Sequence, residues 1–146
     1  MAWSARTRHH RVMPLNLLIA DDSDLIRISL QALLEPIVGI ETIHSANTLA
    51  QTLESVSRLT PTLLILDIHL PDGHAIQIIP TLKQLAPRMR IAIFTNDVNE
   101  FNRRKCLQAG ADWFFDKSIE CNELLAVVQQ QAKLSESLPR QQQNRP

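Results

Sequence analysis

The sequence alternates five short strand-like runs with longer segments whose apolar residues recur at helical spacing, and this alternation restricts the fold most strongly. The runs are residues 15–20, 39–46, 62–67, 90–94 and 113–115. The nearly continuous apolar runs, such as 15–20 and 62–67, are typical of strands buried on both faces. Strands that alternate with helices favour a parallel sheet with right-handed crossovers. We therefore predict an α/β fold with a doubly wound, five-stranded parallel sheet.

Residues that start or stop helices lie between the apolar runs. The predicted helices begin after Asp22-Ser23, at Asn47 or Thr48, after Gly73, at about Val98 and at Ile119. They end before Pro36, before Pro61, at about Ala86, at Ala109 and at Leu134. Gly110 is the expected C-terminal glycine of the fourth helix. Pro80 lies inside the third predicted helix, where its missing N–H is expected to kink or destabilise the helix.

The two ends of the chain differ from its middle. Residues 1–13 contain three arginines and no acidic residue, and they lack any apolar period, so we expect a flexible leader. Residues 135–146 are rich in glutamine and are expected to form a disordered tail, because they offer little apolar surface to bury. The predicted domain spans residues 14–134. Without the basic ends this domain is mildly acidic.

Composition and charge exclude several classes of function. The 146 residues suit a single domain, and the formal net charge of +0 provides no overall field for nucleic acid or a membrane surface. The two cysteines, Cys106 and Cys121, form neither a disulfide framework nor a CxxC pair, and both are expected to be small buried side chains. No apolar run approaches the roughly 20 residues of a membrane span. These features predict a soluble, cytoplasmic protein.

Polar side chains directly follow the apolar strands. Asp21 and Asp22 follow the first strand, Asp67 ends the third, Thr95 follows the fourth, and Lys117 lies just after the fifth. Such positions converge at the edge of a doubly wound sheet where ligands bind. Carboxylates gathered there repel each other unless a cation binds, and Mg²⁺ prefers oxygen ligands of this kind. With a lysine as cationic clamp and a threonine as hydroxyl donor, the cluster has the parts of a phosphoryl-transfer site.

Each of these residues also has an ordinary structural explanation. Asp22 can cap a helix, and Asp67 can start a turn. Thr95 is a β-branched residue that suits a strand, and Lys117 suits an exposed surface. Their joint occurrence at four strand ends is what favours a common site.

Four segments resemble the receiver domain of bacterial two-component response regulators, the CheY-like family. They are LLIADDS at 17–23, LLILDIHLPDG at 63–73, IAIFTN at 91–96 and AGADWFFDKS at 109–118. The resemblance covers about residues 14–133. It implies a (βα)5 flavodoxin-like fold with strand order 2-1-3-4-5. It also implies a signalling switch rather than an enzyme, with self-phosphorylation and autodephosphorylation at one residue only.

The resemblance implies a Mg²⁺ site among the acidic residues. Asp22 would ligate the ion directly and Asp21 largely through water. Asp67 and the backbone carbonyl of His69 would complete the protein ligands.

The resemblance further implies how a phosphoryl group is held. Asp67 would be the phosphoacceptor, Thr95 would hydrogen-bond the phosphoryl group, and Lys117 would form an ion pair with it. Phe114 matches the switch aromatic that turns inward when Thr95 moves. Trp113, in the short fifth strand, is expected to lie near the site.

Three positions depart from the family pattern. Ser118 stands where many members have a proline after the lysine, and Asp72 precedes the glycine of a loop that lacks the usual methionine. Pro80 within the third helix is also uncommon. None of these departures removes a residue with a predicted chemical role.

The implied partners are proteins. A histidine kinase or a phosphotransfer protein would donate the phosphoryl group. A downstream protein or a second copy of the chain would bind through the fourth helix, fifth strand and fifth helix. Arg103, Arg104 and Lys105 on the fourth helix suit an acidic partner, and a solvated face is the alternative. We expect no membrane contact and no nucleic-acid binding by this chain alone.

Other functions stay open or fit poorly. A receiver-like interaction module without phosphorylation and a fragment of a DNA-binding transcriptional regulator both remain alternatives. A haloacid-dehalogenase-like phosphatase needs a second aspartate where His69 stands. A flavodoxin-like electron carrier needs a phosphate loop after the first strand, and Asp21-Asp22 would repel a flavin phosphate there.

Overall fold

A computed structural model describes residues 14–143, with side chains through Ser135. The strands of the main sheet are β1 (Leu15–Ala20), β2 (Ile40–Ala46), β3 (Leu63–Leu66), β4 (Arg90–Thr95) and β5 (Trp113–Asp116). The helices are α1 (Asp24–Leu34), α2 (Leu49–Leu59), α3 (Ile79–Leu85), α4 (Glu100–Ala109) and α5 (Cys121–Gln143). A short antiparallel ladder (His69–Leu70 with Gly73–His74) and a 3₁₀ helix (Ala75–Ile78) lie between β3 and α3. The expected leader lies outside the described residues.

The five strands form one parallel sheet in the order β2-β1-β3-β4-β5. This confirms the predicted fold and strand order. The order reverses between β1 and β3, because β2 lies on one side of β1 and β3 on the other. The ends of neighbouring strands lie close together, since Ala20 pairs with Leu66, and Leu66 pairs with Ile93, two residues before the end of β4. The carboxyl ends of the strands therefore meet at one edge.

The core consists of two apolar layers, one on each face of the sheet. Leu64 and Leu66 of β3 belong to the layer under α2, α3 and α4. Leu63 and Ile65 belong to the layer under α1 and α5. All four side chains are buried, since successive residues of a central parallel strand face opposite layers. This two-sided burial is why β3 is continuously apolar in the sequence.

Most helix ends coincide with the predicted capping residues. The Ser23 hydroxyl accepts a hydrogen bond from the Ile26 N–H, and the Thr48 hydroxyl accepts one from Gln51. Gly110 caps α4 with a φ of +127°, a conformation that favours glycine. The start of α4 differs from the expected Val98, because Asn99 caps the helix instead.

The prediction for Pro80 is wrong. The segment after Gly73 is not one continuous helix, because a 3₁₀ helix comes first and α3 begins only at Ile79. Pro80 therefore occupies the first turn of α3, where an N–H has no partner within the helix. Its fixed φ suits this position, so the proline neither kinks nor interrupts α3.

The end of the last helix is also corrected. The sequence predicts an end at Leu134, whereas α5 continues to Gln143. The residues beyond Leu134 include Glu, Gln and Arg, which are good helix formers, and extending an existing helix is far easier than starting one, whereas Pro139 in this stretch lacks the N–H of a regular helix turn. The division into leader, domain and tail at residues 13 and 134 stays a prediction.

No helix among residues 14–143 is long and apolar enough to cross a membrane. Cys106 is buried and Cys121 half-buried, and both are free thiols. Burial raises the pKa of the Cys106 thiol to about 11, so this cysteine is protonated at neutral pH.

Candidate functional site

The predicted polar residues line one open cleft at the carboxyl edge of the sheet. The cleft has a volume of about 700 Å³, and its lining includes Asp21, Asp22, Asp67, Thr95 and Lys117. It lies where the strand order reverses and where the ends of β1, β3 and β4 meet, the usual ligand position in open α/β sheets. The structure therefore brings these five predicted residues together.

Lys117 links two of the three aspartates directly. Its Nζ lies 2.6 Å from Oδ2 of Asp21 and 2.9 Å from Oδ2 of Asp67. All three side chains are nearly buried, with exposed fractions of 8%, 4% and 10%. The Lys117 N–H also donates to the Thr95 carbonyl at 2.8 Å. The lysine thus joins the carboxyl ends of β1, β3, β4 and β5.

The pKa of Lys117 reflects two opposed effects. Burial lowers it, because a charged ammonium loses its hydration, but the hydrogen bonds and charges of Asp21 and Asp67 outweigh burial. The net result is a pKa above the ordinary 10.5, so the lysine is charged at neutral pH. Its stabilising contribution is complete below 10.5 and is lost as the pH rises through the folded-state pKa.

Three carboxylates form an acidic cluster next to the lysine. Asp21, Asp22 and Asp67 each offer an oxygen, and these oxygens lie within 4.8 Å of one another. Oδ1 of Asp67 is buried and has no hydrogen-bond partner among the described residues. A buried carboxylate oxygen without a partner is unfavourable, so it calls for a donor or a cation. This donor set fits a hard divalent cation such as Mg²⁺.

Asp21 is held from several sides. Its Oδ1 accepts a hydrogen bond from the Ser23 N–H at 2.9 Å, and Lys117 occupies its Oδ2. Nη1 of Arg27 donates to the Asp21 backbone carbonyl at 2.6 Å, while the same guanidinium pairs with Asp24. Sequence reasoning missed Arg27, although its position three residues after Asp24 on α1 was a visible signal.

Thr95 and Phe114 lie on the same face of the sheet but have different surroundings. Thr95 is 1% exposed and lines the cleft, and its hydroxyl accepts a hydrogen bond from the Asp97 N–H at 3.2 Å. Phe114 pairs in register with Ile93, two residues before Thr95. Its ring is buried in the core, with the Arg103 guanidinium 5.0 Å from the ring centre. Phe114 therefore lies inward and does not line the cleft.

A second contact crosses the cleft between two loops. Nε2 of His69 contacts a carboxylate oxygen of Asp97, and the His69 and His74 rings meet edge to face at 4.3 Å. The hydrogen bond from His69 lowers the pKa of Asp97, against a smaller opposing effect of burial. Both residues are partly exposed. Sequence reasoning assigned His69 a role only through its carbonyl and missed Asp97, which follows Thr95 by two residues.

The expected position of Trp113 is wrong. Trp113 is the first residue of β5, and its ring lies under Arg90, the first residue of β4, at 5.3 Å. The cleft lies at the other end of these strands. Trp113 therefore cannot report directly on ligands bound near Asp67.

Comparison with known sequences assigns most of the chain to one family. Residues 17–129 match the response regulator receiver domain. Two curated relatives are the nitrate/nitrite response regulator protein NarL of Escherichia coli K12, 27% identical over 86% of this chain, and a putative transcriptional regulator of Pseudomonas aeruginosa, 32% identical over 74%. The alignments cover 60% and 52% of these relatives, so the chain spans about half their length.

Solved structures share the same architecture. A CheY-like response regulator receiver domain protein from Methanospirillum hungatei is 27% identical, with a TM-score of 0.75 over 85% of this chain and 98% of its own. A response regulator from Burkholderia pseudomallei, described with a phosphorylated aspartic acid and a calcium ion, has a TM-score of 0.71 over 84% of this chain and 71% of its own. At 23% identity the second likeness concerns the fold alone.

The contact between Lys117 and Asp21 should be measurable as a pKa change. Replacing Asp21 with Asn removes one of the two carboxylates that raise the pKa of Lys117, while burial still lowers it. We expect Asp21→Asn to lower the pKa of Lys117. The measurement is the ¹³Cε chemical shift of Lys117 between about pH 9 and pH 12, a range that brackets the ordinary lysine value. In the control Asp24→Asn the Lys117 titration should stay as in the wild type, and equal titration in Asp21→Asn would contradict the bridge.

Proposed function

The chain belongs to the response regulator receiver domain family, and from this premise we propose that Asp67 is its phosphoacceptor. Phosphorylation of an aspartate is the role of this family. The observation that most supports Asp67 is its position in the acidic cluster, with one oxygen bound by Lys117 and the other buried without a partner among the described residues. The proposed donor is a phosphohistidine of a histidine kinase or a phosphotransfer protein.

The proposed reaction is a transfer between two side chains. A carboxylate oxygen of Asp67 forms a new P–O bond as the P–N bond to the donor imidazole breaks, and the imidazole leaves. Lys117 already contacts Asp67, so its ammonium can pair with a phosphoryl oxygen as charge develops there. Hydrolysis of the acyl phosphate by water would return Asp67 to its starting state. This is a stoichiometric modification of the chain, not turnover of an external substrate.

Mg²⁺ is the proposed cofactor and would supply charge neutralisation between the carboxylates and the phosphoryl oxygens. Asp22, Asp67 and the His69 carbonyl are the proposed direct ligands. Asp21 would act largely through water, which agrees with its two oxygens being engaged by Ser23 and Lys117.

The proposed switch couples the cleft to α4 and β5. The Thr95 hydroxyl accepts from the Asp97 N–H, so its own proton is free to donate to a phosphoryl oxygen. A shift of the hydroxyl towards Asp67 would pull on Asp97 and the loop before α4. The space that Thr95 vacates lies on the face that Phe114 occupies, so the two residues would move together.

The proposed output surface consists of α4, β5 and α5, and binds a downstream protein or a second copy of the chain. Arg104 and Lys105 are exposed on α4, and Phe101 beside Lys105 is 57% exposed. Arg103 is instead half-buried against Phe114, so a movement of that ring would change the surroundings of the Arg103 guanidinium. The cytoplasm is the proposed location, as is typical of the family.

A second candidate output is control of transcription through a further region of the protein. One relative carries the name DNA-binding transcriptional activator DevR/DosR, from Mycobacterium tuberculosis, and is 27% identical over 75% of this chain. The chain covers 51% of that relative. In this case the α4-β5-α5 surface would contact the further region instead of a separate protein.

Replacing the acceptor should abolish phosphorylation. Incubation with Mg²⁺ and acetyl phosphate should add one acid-labile phosphate to the wild-type chain, read by intact mass, and none to Asp67→Asn. The control Asp116→Asn alters the last residue of β5, which does not line the cleft, and it should be phosphorylated normally. Full phosphorylation of Asp67→Asn would refute the assignment.

Removing a proposed ligand should weaken the metal site. Asp22→Ala should reduce Mg²⁺ affinity by at least about tenfold, because even residues that only orient a ligand have effects of this size. Isothermal titration calorimetry provides the measurement. The control Asp24→Ala removes a neighbouring exposed carboxylate outside the cluster and should leave the affinity unchanged. Equal affinities of Asp22→Ala and wild type would remove Asp22 from the ligand set.

The switch residues should act as a unit. Thr95→Ala keeps Asp67, Lys117 and the acidic cluster, so it should still be phosphorylated. It should lose most of the phosphate-dependent change in the amide signals of residues 98–116, and Phe114→Ala added to it should cause little further loss. The control Thr42→Ala lies on the edge strand β2 and should respond like the wild type. If Thr95→Ala and Phe114→Ala both keep the full change, output does not pass through this pair.

A further inference from the structure

Asp72 makes a long-range contact that none of the proposed roles uses. It does not line the cleft, but its carboxylate accepts two backbone hydrogen bonds from the start of α2. The Leu49 N–H donates to Oδ1 at 2.7 Å, and the Ala50 N–H donates to Oδ2 at 3.0 Å. One exposed side chain of the β3–α3 connection is therefore held by both of its oxygens to another helix.

The start of α2 explains why this contact is strong. The first N–H groups of a helix have no partner within it, and the positive end of the helix dipole favours a carboxylate. Among residues 14–135, the Thr48 hydroxyl accepts only from the Gln51 N–H, so the N–H groups of Leu49 and Ala50 depend on Asp72. These two backbone hydrogen bonds lower the pKa of Asp72. The Asp72 carboxylate is thus ionised at neutral pH and accepts both hydrogen bonds in that form.

Asp72 lies at the tip of a hairpin, residues 68–75, that follows directly on Asp67. In this hairpin His69 pairs with His74 and Leu70 with Gly73, and the Ala75 N–H donates to the Ile68 carbonyl at 2.7 Å. The buried side chains of Ile68 and Ala75 anchor its base in the core, and the Leu70 side chain, nearer the tip, is also buried. Its tip contains Pro71 and the exposed Asp72, so contact with α2 holds this end.

Gly73 lets the hairpin approach α2 closely. Its φ is +144°, and a Cβ at this position would lie 3.2 Å from Cδ1 of Leu49. Leu49 therefore contacts the hairpin twice, through its N–H to Asp72 and through its side chain to Gly73. Together these two contacts fix the distance between the hairpin and the start of α2.

We propose that Asp72 is a positioning residue of the phosphoacceptor site: by holding the hairpin tip on α2, it sets the direction of the His69 carbonyl. This inference rests on the proposed function, in which that carbonyl is a metal ligand. Asp72 itself touches neither the cation nor the phosphoryl group. Its effect reaches the site through the paired strands of the hairpin.

A matched pair of variants separates this role from simple helix capping. Asp72→Ala and Thr48→Ala both remove acceptors from the start of α2, but only Asp72→Ala releases the hairpin. We expect Asp72→Ala to weaken Mg²⁺ binding about tenfold and Thr48→Ala to change it less than about twofold, by analogy with residues that orient metal ligands. Calorimetric titration measures the affinity. Both variants should lower the midpoint of urea unfolding.

A second readout does not depend on metal. The backbone amide signals of Ile68, His69 and Leu70 in the metal-free protein should shift in Asp72→Ala and stay in place in Thr48→Ala. Asp72→Asn keeps one acceptor oxygen, so its Mg²⁺ affinity should lie between those of the wild type and Asp72→Ala. If Asp72→Ala does not fold, Asp72→Asn provides the test in its place.

The outcomes distinguish this inference from the proposed function. If the wild type binds Mg²⁺ and is phosphorylated, but Asp72→Ala and Thr48→Ala change Mg²⁺ affinity equally, Asp72 only caps α2 and the proposal is overturned. If the wild type neither binds Mg²⁺ nor accepts a phosphoryl group, the proposed function fails instead. The amide signals then decide whether Asp72 fixes the hairpin, and unchanged signals in Asp72→Ala overturn the proposal.

Discussion

The bridge from Lys117 to Asp21 and Asp67 is the interaction on which the rest of the site depends. It is nearly buried, and it joins residues that follow three different strands. Together with Asp22, the group contains three carboxylates and one ammonium, an excess of two negative charges. Such an excess in a partly buried cleft favours a divalent cation over a monovalent one. The charge around the acidic cluster thus follows from four side chains at the ends of the strands.

The same bridge explains how a phosphoryl group on Asp67 would affect residues outside the cleft. Lys117 shares its ammonium between two carboxylates, so a new anionic oxygen beside it changes the balance of its hydrogen bonds. The Lys117 N–H donates a hydrogen bond to the Thr95 carbonyl, and the Thr95 hydroxyl accepts one from the Asp97 N–H. A local change of charge is therefore connected to the end of β4 through short, specific contacts. In an electrostatic switch of this kind, the change of charge has only to shift the equilibrium of a small element that has two conformations.

The sequence predicted the fold and the central residues because both follow from where apolar strands end. Asp21, Asp67 and Lys117 each follow a strand and Thr95 ends one, and parallel strands bring their carboxyl ends together. Contacts made outside the strands were not predictable in this way, since strand spacing says nothing about which loop and helix residues meet. The contacts His69–Asp97 and Asp72–Leu49 are of this type, and so is the hydrogen bond from Arg27 to the Asp21 carbonyl. The error on Trp113 was avoidable, because the first residue of a parallel strand lies at the edge opposite the site.

The contacts around the cleft divide it into a firm half, which is held by buried contacts, and a yielding half, which is held by partly exposed contacts. The firm half contains the buried lysine bridge and the hairpin, whose tip is bonded to α2 and whose base is packed in the core. The yielding half is the loop after β4, which is tied to the cleft by the partly exposed His69–Asp97 pair and by one hydrogen bond to Thr95. Exposed pairs contribute little to stability, typically about 0–1 kcal/mol, so this loop is the part that a new charge displaces most easily. A site that holds its proposed metal ligands firmly and leaves the Thr95 side free to move would receive a phosphoryl group without losing a bound cation.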